Sequence, residues 1–153
     1  MDNRFYTYVT PFGGITIGSN GVAITSIKTE ESTDPVGIKE PDALIKKAAK
    51  QLDEYFSGKR KHFDLPLHTK GTEFQHKVWT ALHDIPFGET RSYKQIAEAI
   101  GHPKAHRAVG MANNKNPIWI MIPCHRVIGA DGSLTGYGGG TEMKKRLIKL
   151  EKK

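Results

Sequence analysis

Cysteine is scarce in this sequence, since Cys124 is the only one among 153 residues. A single cysteine excludes an intramolecular disulfide and any zinc site built from several cysteines, and it fits a reducing cytosol. Long apolar runs are also missing, because no stretch approaches the roughly 20 apolar residues that cross a bilayer. The first residues lack the apolar core of a secretory signal, and no dinucleotide-binding or phosphate-binding glycine motif is present. We therefore expect a cytoplasmic protein that needs no membrane and no cofactor.

The net charge of +7 is unevenly distributed along the chain. Residues 1–69 hold nine Lys/Arg and nine Asp/Glu, whereas residues 70–153 hold fourteen and seven, so the surplus lies in the second part. A basic face of this kind suits a polyanion, because each neutralised phosphate releases counterions. Charge alone also allows an ordinary solvated basic surface. That alternative applies in part to the C-terminal cations Lys144, Lys145, Arg146, Lys149, Lys152 and Lys153.

The first part of the chain has the pattern of a small α/β domain. Apolar residues at helical spacing predict a helix over residues 42–56, with Asp42 as its N-cap. The Asn20-Gly21 pair predicts a two-residue hairpin turn. No motif in this part carries chemistry. Strands are predicted where β-forming residues alternate with turn residues, at 5–9, 14–17, 22–27 and 61–67.

The second part of the chain is predicted to be helical. Capping boxes that begin at Thr72 and Ser92 each open a helix. The chain then turns at residues 101–103, and a further helix is predicted over residues 104–113. Two short helices joined by a glycine-containing turn are typical of a helix-turn-helix motif.

The last of these helices is unusual because small side chains line it. A helix that reads the major groove carries several long polar side chains to contact base edges. Small residues instead allow the close backbone approach that minor-groove docking needs, with phosphate contacts supplying affinity. Tight packing between helices is the alternative. The residues concerned are Ala105, Ala108, Val109, Gly110 and Ala112, with Arg107 as the long cation among them.

Cys124 lies in the sequence Ile-Pro-Cys-His-Arg-Val, at residues 122–127. The preceding segment, residues 117–123, is apolar and β-favouring, and it predicts a strand that delivers the thiol from the interior. His125 and Arg126 follow at once, and positive neighbours lower the pKa of a thiol and enrich the nucleophilic thiolate. An inert buried cysteine is the alternative.

Five segments, in this order and spacing, strongly resemble the O6-alkylguanine-DNA alkyltransferases (methylated-DNA–protein-cysteine methyltransferases): residues 87–93, 107–110, 116–117, 122–127 and 136–139. The resemblance is continuous over about residues 71–151 and weaker over residues 1–69. It implies an RNase H-like α/β domain over residues 1–69. Residues 70–153 would form a helical, winged-helix or helix-turn-helix-like DNA-binding domain that carries the active site.

The resemblance also implies the chemistry. A thiolate at Cys124 attacks the sp³ carbon of an alkyl group on guanine O6, and a thiolate is a strong nucleophile for such a displacement. His125 acts as the base through a water molecule, Glu151 orients His125, and Asn116 braces the turn before the cysteine. The hydroxyl of Tyr93 donates to the base as negative charge leaves O6. The S-alkylcysteine product is a thioether, and nothing in the chain resembles machinery to cleave it, so we expect one transfer per protein.

Base and DNA contacts are implied in the same way. The carbonyls of Cys124 and Val127 would accept from the guanine amino group, and the backbone N–H of Gly138 would donate to O6. A base inside a duplex is unreachable, so the nucleotide must be flipped out, and Arg107 matches the finger residue that fills the gap. We expect a monomer that binds the minor groove of double-stranded DNA containing O6-alkylguanine. Its contacts would come from Ser92, Tyr93, Ala105, Arg107, Ala108 and Arg126.

Other functions compete with this one. A non-catalytic sensor of alkylated bases would lack the nucleophile, so the retained Cys124 argues against it. A sequence-selective helix-turn-helix regulator conflicts with the small-sided helix. A cysteine hydrolase would pair Cys124 with His125, yet neighbours on a strand point to opposite faces. Two pairs of histidines have spacings that could share a helix face, but neither pair has a third ligand or a cysteine partner, so we expect no metal site: His76 and His83, His102 and His106.

Overall fold

Four strands near the start of the chain form a mixed sheet in the computed structural model, which describes residues 3–134, 137 and 140–152. Neighbouring strands run antiparallel from β1 to β3, with Tyr6 opposite Ile17 in the first pair. The short β4 pairs in parallel with β1, so the strand order is β3-β2-β1-β4. The strands are Arg4–Thr10 (β1), Gly13–Ser19 (β2), Ile24–Thr29 (β3) and Ile38–Lys39 (β4).

One helix, Ala43–Phe56 (α1), packs against this sheet. Asp42 caps it as predicted, because its carboxylate accepts from the N–H of Ile45 at 2.8 Å. The helix ends at Ser57, and Gly58 follows with a φ of 79°, a left-handed conformation that glycine adopts without strain. Apolar side chains of the sheet and the helix form the core: Ile15, Ile17, Ile24, Ile27, Ile45, Ala48, Leu52 and Tyr55.

Two local predictions in this part of the chain are wrong. The loop between β2 and β3 has four residues rather than two, because the side chain of Asn20 accepts from the N–H groups of both Val22 and Ala23 at 2.9 Å. Residues 61–67 form no strand, and their single sheet-like bridge joins Leu67 to Ile24. The backbone N–H of Asp64 donates to the side chain of Gln51 on α1, and the segment bonds to β3 only at its end, where the N–H of Ile24 donates to the carbonyl of Pro66 at 2.8 Å.

In the second part of the chain, the described residues form four α-helices and a two-stranded parallel sheet. Both predicted capping boxes are present, at Thr72 and at Ser92. The helix-turn-helix is confirmed as α3 and α4, with Gly101 in the turn at a φ of 82°. The elements are Glu73–His83 (α2), Arg91–Ser92 (β5), Tyr93–Ala99 (α3), His106–Asn114 (α4), Val127–Ile128 (β6) and Thr141–Glu151 (α5).

The chain forms two compact units, residues 1–69 and residues 70–153. In the second unit the indole N–H of Trp79 on α2 donates to the carbonyl of Ala112 on α4 at 2.9 Å. Leu82 and Val109 are fully buried on α2 and α4, which pack against each other, and Leu147 is fully buried on α5. No helix within the described part of the chain is both long enough and apolar enough to cross a membrane.

Candidate active site

The segment before Cys124 is held by one side chain, that of Asn116. Its amide N–H donates to the carbonyls of Ile118 at 3.3 Å and Ile122 at 2.8 Å, while its oxygen accepts from the N–H of Ile118 at 3.0 Å. Inside this loop Ile120 has a φ of 74°, which is costly for a β-branched residue. The predicted strand over residues 117–123 is therefore wrong. Pro117 and Pro123, at the two ends of this segment, have no N–H to donate to a neighbouring strand. The side chain of Asn116 already bonds to the carbonyls of Ile118 and Ile122, to which such a strand would otherwise bond.

Cys124 begins a single 3-10 turn, Cys124–Arg126, and its side chain is buried. Burial raises the pKa of the thiol to about 11, because the charged form loses its hydration. The amide of Asn116, the positive charge of Lys144 and the backbone N–H groups of the turn act in the opposite direction. The thiol is therefore protonated at neutral pH while the site is closed to solvent.

His125 and Arg126 do not activate the thiol in the predicted way. Arg126 is paired with the carboxylate of Glu151, with its Nε 2.7 Å from Oε1 and its Nη2 3.1 Å from Oε2. Its Nη1 donates to the carbonyl of Ile85 at 2.6 Å. The pKa of His125 is lowered, first by burial and also by the charges of Arg126 and Lys144. His125 is thus neutral, and the prediction that both residues act as cations beside the thiol is wrong.

The neutral imidazole of His125 is oriented by the same carboxylate. Its Nε2 lies 2.6 Å from Oε2 of Glu151, and we assign the proton to Nε2 because a carboxylate can only accept. The Nδ1 atom is then an acceptor, and it has no hydrogen-bond partner among the residues described. His125, the residue that follows the thiol in the sequence, is therefore a buried base whose Nδ1 can accept a proton. Its orientation is fixed by the carboxylate of Glu151, 26 residues further along the chain.

Tyr93 and Lys144 complete the surroundings of the thiol. Tyr93 is the first residue of α3, and the pKa of its hydroxyl is raised by burial and by the nearby Cys124. Its ring lies against α4 at Gly110, where an added Cβ would lie 3.8 Å from two ring carbons. The ammonium of Lys144 lies 5.8 Å from the centroid of the same ring. A phenol and an ammonium thus lie close to the buried thiol.

Two family models cover nearly all of the chain. The 6-O-methylguanine DNA methyltransferase DNA-binding domain matches residues 73–153, and the ribonuclease-like domain of the same protein matches residues 3–69. The chain belongs to the 6-O-methylguanine DNA methyltransferase family. The predicted fold class, an RNase H-like α/β domain followed by a helical DNA-binding domain, is confirmed by this match.

Relatives of this methyltransferase agree in name and structure. The methylated-DNA–protein-cysteine methyltransferase of Methanosarcina barkeri is 61% identical over 108 residues, which are 71% of this chain and 68% of the relative. The protein of the same name from Mycobacterium tuberculosis is 48% identical over 97% of this chain and 92% of its own. A crystal structure of M. tuberculosis OGT in complex with DNA has a TM-score of 0.92 at 47% identity, over 97% of this chain and 92% of that one.

The predicted catalytic residues of the methyltransferase lie together in the second unit. A direct contact joins His125 to Glu151 at 2.6 Å, and the amide of Asn116 lowers the pKa of the Cys124 thiol. Burial and the charge of Cys124 both raise the pKa of the Tyr93 hydroxyl. Val127 is buried in β6, and its N–H already donates to the carbonyl of Cys124, which leaves that oxygen one further lone pair.

The predicted DNA-binding residues fall into two groups. Arg107 and Ala108 are exposed on α4, and Ala105 is partly exposed at the start of that helix. Ser92 is the N-cap of α3, where its hydroxyl accepts from the N–H of Gln95. Arg126, in contrast, is 7% exposed and paired with a buried carboxylate, so its assignment as a DNA contact is wrong.

Some predicted features cannot be compared with the structure, because Gly136, Gly138, Gly139 and Lys153 lie outside the described residues. Within the part of the chain that is described, no three histidine, cysteine or acidic side chains cluster in a way that would hold a metal ion.

Sequence reasoning missed Lys144, which it placed on a solvated surface. The residue is fully buried on α5. The helical spacing carried the signal, because Lys144, Leu147 and Glu151 follow one another at i, i+3 and i+7 and so share one face of α5. Exposed Met111 on α4, one turn beyond Arg107, was also passed over.

Proposed function

We propose that this methyltransferase removes the alkyl group from O6-alkylguanine in double-stranded DNA by transferring it to Cys124, once per protein molecule. The family supports DNA repair by alkyl transfer to a protein cysteine. The observation that carries the site assignment is the buried His125–Glu151 contact at 2.6 Å, which leaves Nδ1 of the neutral imidazole as an acceptor on the residue that follows Cys124.

The proposed step is a simple displacement at carbon. His125 takes the proton of the Cys124 thiol through a water molecule, and Glu151 stabilises the resulting imidazolium. The thiolate forms the S–C bond as the C–O6 bond breaks, and the electron pair leaves on guanine, which then takes up a proton. The hydroxyl of Tyr93, the carbonyls of Cys124 and Val127 and the N–H of Gly138 hold the base. The thioether formed cannot regenerate the thiol.

DNA docking is proposed to involve the exposed face of α4. Its small residues allow the helix to approach the minor groove closely, and Arg107 fills the space left by the flipped nucleotide. We propose O4-alkylthymine as a second substrate for the same displacement at carbon. A monomeric state and a cytoplasmic location stay predictions.

Intact-protein mass spectrometry tests the function directly. After incubation with an oligonucleotide that contains O6-methylguanine, the mass should increase by about 14 Da, at Cys124 and once per protein, as covalent methyl transfer requires. The same oligonucleotide with unmodified guanine is the control. An unshifted mass despite tight binding to the lesion would favour the non-catalytic sensor. Neither a shift nor a preference for the lesion would leave a DNA-binding domain with an incidental thiol.

Arg107→Ala tests the flipping role. Because extruding a base costs a few kcal/mol, repair in duplex DNA should slow by about a hundredfold, whereas the reaction with the free base O6-methylguanine should hardly change. Lys104→Ala is the matched control, since it removes an exposed cation just before the same helix. Single-turnover rates on both substrates give the comparison, and an equal loss on both would contradict the role.

A further inference from the structure

We propose that the buried ammonium of Lys144 is the counter-ion of the Cys124 thiolate during alkyl transfer, an inference that rests on the proposed function. Lysine is almost never fully buried unless a partner compensates its charge, yet this side chain has no exposed surface. The position on α5 aims it at the reacting centre, since its Nζ lies 5.8 Å from the centroid of the Tyr93 ring.

Arg126, the cation two residues after the thiol in the sequence, already has a charged partner. Arg126 lies 2.7 Å from Glu151, which is buried with it, so its charge is largely cancelled by that carboxylate. His125 is neutral for the reason given above. Lys144, by contrast, is the cation whose charge lowers the pKa of the Cys124 thiol. A thiolate formed in this low-dielectric site therefore has Lys144 as its compensating charge.

The two groups influence each other's protonation. Burial lowers the pKa of Lys144 to about 8, and the charge of Cys124 opposes that shift. Among the groups that face Lys144 are Cys124 and His125 from the 3-10 turn and Tyr93 from α3, while Arg126 and Glu151 are paired with each other.

This coupling determines how the rate should vary with pH. Because the thiol proton passes to His125, the reacting thiolate–imidazolium–ammonium form holds as many protons as the resting thiol–imidazole–ammonium form. Their ratio is therefore independent of pH. The rate should be level while Lys144 is protonated and should fall above about pH 8, the pKa of Lys144, as the ammonium is lost.

The chemical balance of the step is unchanged by this role. The thiol proton leaves through His125, the S–C bond forms, the C–O6 bond breaks, and the electron pair and one proton end on guanine. Lys144 keeps its own protons throughout. It acts by making the thiolate easier to form, so it is a positioning residue that works through Cys124 and needs no additional reactant.

Lys144→Met is the decisive variant, because methionine fills a similar volume without charge. A neighbouring charge shifts a thiol pKa by one to three units, and the lower intrinsic reactivity of a stabilised thiolate offsets part of this, so transfer at neutral pH should slow by about tenfold. The fall in rate above about pH 8 should also be absent from this variant. Lys144→Arg keeps the charge and should recover part of the rate. Lys145→Met, at the exposed next position of α5, is the control and should behave like the wild type.

Thermal unfolding shows whether Lys144→Met reacts slowly because its fold is less stable. The pKa of Lys144 is depressed on folding, so its charged form costs stability at every pH below about 8, and this cost fades as pH rises towards the unfolded value of 10.5. At neutral pH, Lys144→Met should therefore melt at a higher temperature than the wild type while reacting more slowly. A merely structural lysine would give the opposite change in stability.

Single-turnover transfer from a duplex with O6-methylguanine, measured for all four proteins from pH 6 to about pH 10, separates the outcomes. If the wild type transfers and Lys144→Met matches Lys145→Met in rate and pH profile, the counter-ion role is wrong. If Lys144→Met is slower but its profile is unchanged and arginine restores nothing, the role is also wrong. Failure of the wild type itself to transfer would overturn the proposed function instead.

Discussion

Cys124→Ala should abolish alkyl transfer completely and leave affinity for DNA nearly unchanged. The thiol is the atom that forms the new bond, and alanine offers no nucleophile. The side chain is buried at the start of its 3-10 turn, whereas the exposed face of α4 carries the proposed contacts with DNA. Mass spectrometry measures the transfer, and fluorescence anisotropy with a labelled duplex measures the affinity.

Cys124→Ser is the companion variant, since it keeps a polar atom that can bond to the amide of Asn116. A hydroxyl is a far weaker nucleophile than a thiolate, so this variant should also transfer nothing. If both variants lost DNA binding in parallel with transfer, while still melting cooperatively, a purely chemical role for Cys124 would be contradicted.

The resting thiol is protected rather than activated. Burial raises its pKa to about 11, so the thiolate that reacts fast is scarce in the free protein. Low reactivity between lesions suits a protein that can react only once, because oxidation or stray alkylation follows thiolate character and exposure. When the buried His125–Glu151 pair deprotonates the thiol, with Lys144 as counter-ion, the thiolate transfers an alkyl group only if the target base occupies the site.

Local rules in the sequence predicted the helices of the second unit well. A capping box needs only two residues three positions apart, and both boxes formed, at Thr72 and at Ser92. The prediction of a strand before Cys124 is wrong because a strand forms only beside a partner strand, and the local sequence pattern does not show whether a partner is present. The side chain of Asn116 instead bonds to the carbonyl of Ile122 and to the N–H of Ile118.

Charge was harder to interpret than helical pattern. A lysine and an arginine in a basic sequence both suggest a surface that binds phosphate, yet Lys144 and Arg126 are buried. Their carboxylate and thiol partners come from distant positions in the chain, as with Arg126 and Glu151, which are 25 residues apart. Only the fold brings such groups together, so the resemblance predicted that Glu151 orients His125 but composition predicted neither buried cation.

Glu151→Ala should destabilise the protein and stop transfer together. The carboxylate contacts both His125 and Arg126 in the buried site. Removing it leaves Arg126 as an uncompensated buried charge, which costs about 3–5 kcal/mol of unfolding free energy. His125 also loses the acceptor that fixes its proton on Nε2, so Nδ1 is no longer held as the base. Chemical denaturation measures the first effect, and single-turnover transfer measures the second.

A double variant separates these two consequences. When Arg126→Met accompanies Glu151→Ala, no buried charge is left unpaired, and much of the lost stability should return, since replacing a buried ion pair by apolar side chains is often neutral. Transfer should nevertheless stay low, because His125 still lacks its carboxylate partner. A double variant no more stable than Glu151→Ala would show that the two charges are not coupled. A double variant that transferred at the wild-type rate would show that Glu151 serves the fold alone and that His125 needs no orienting carboxylate.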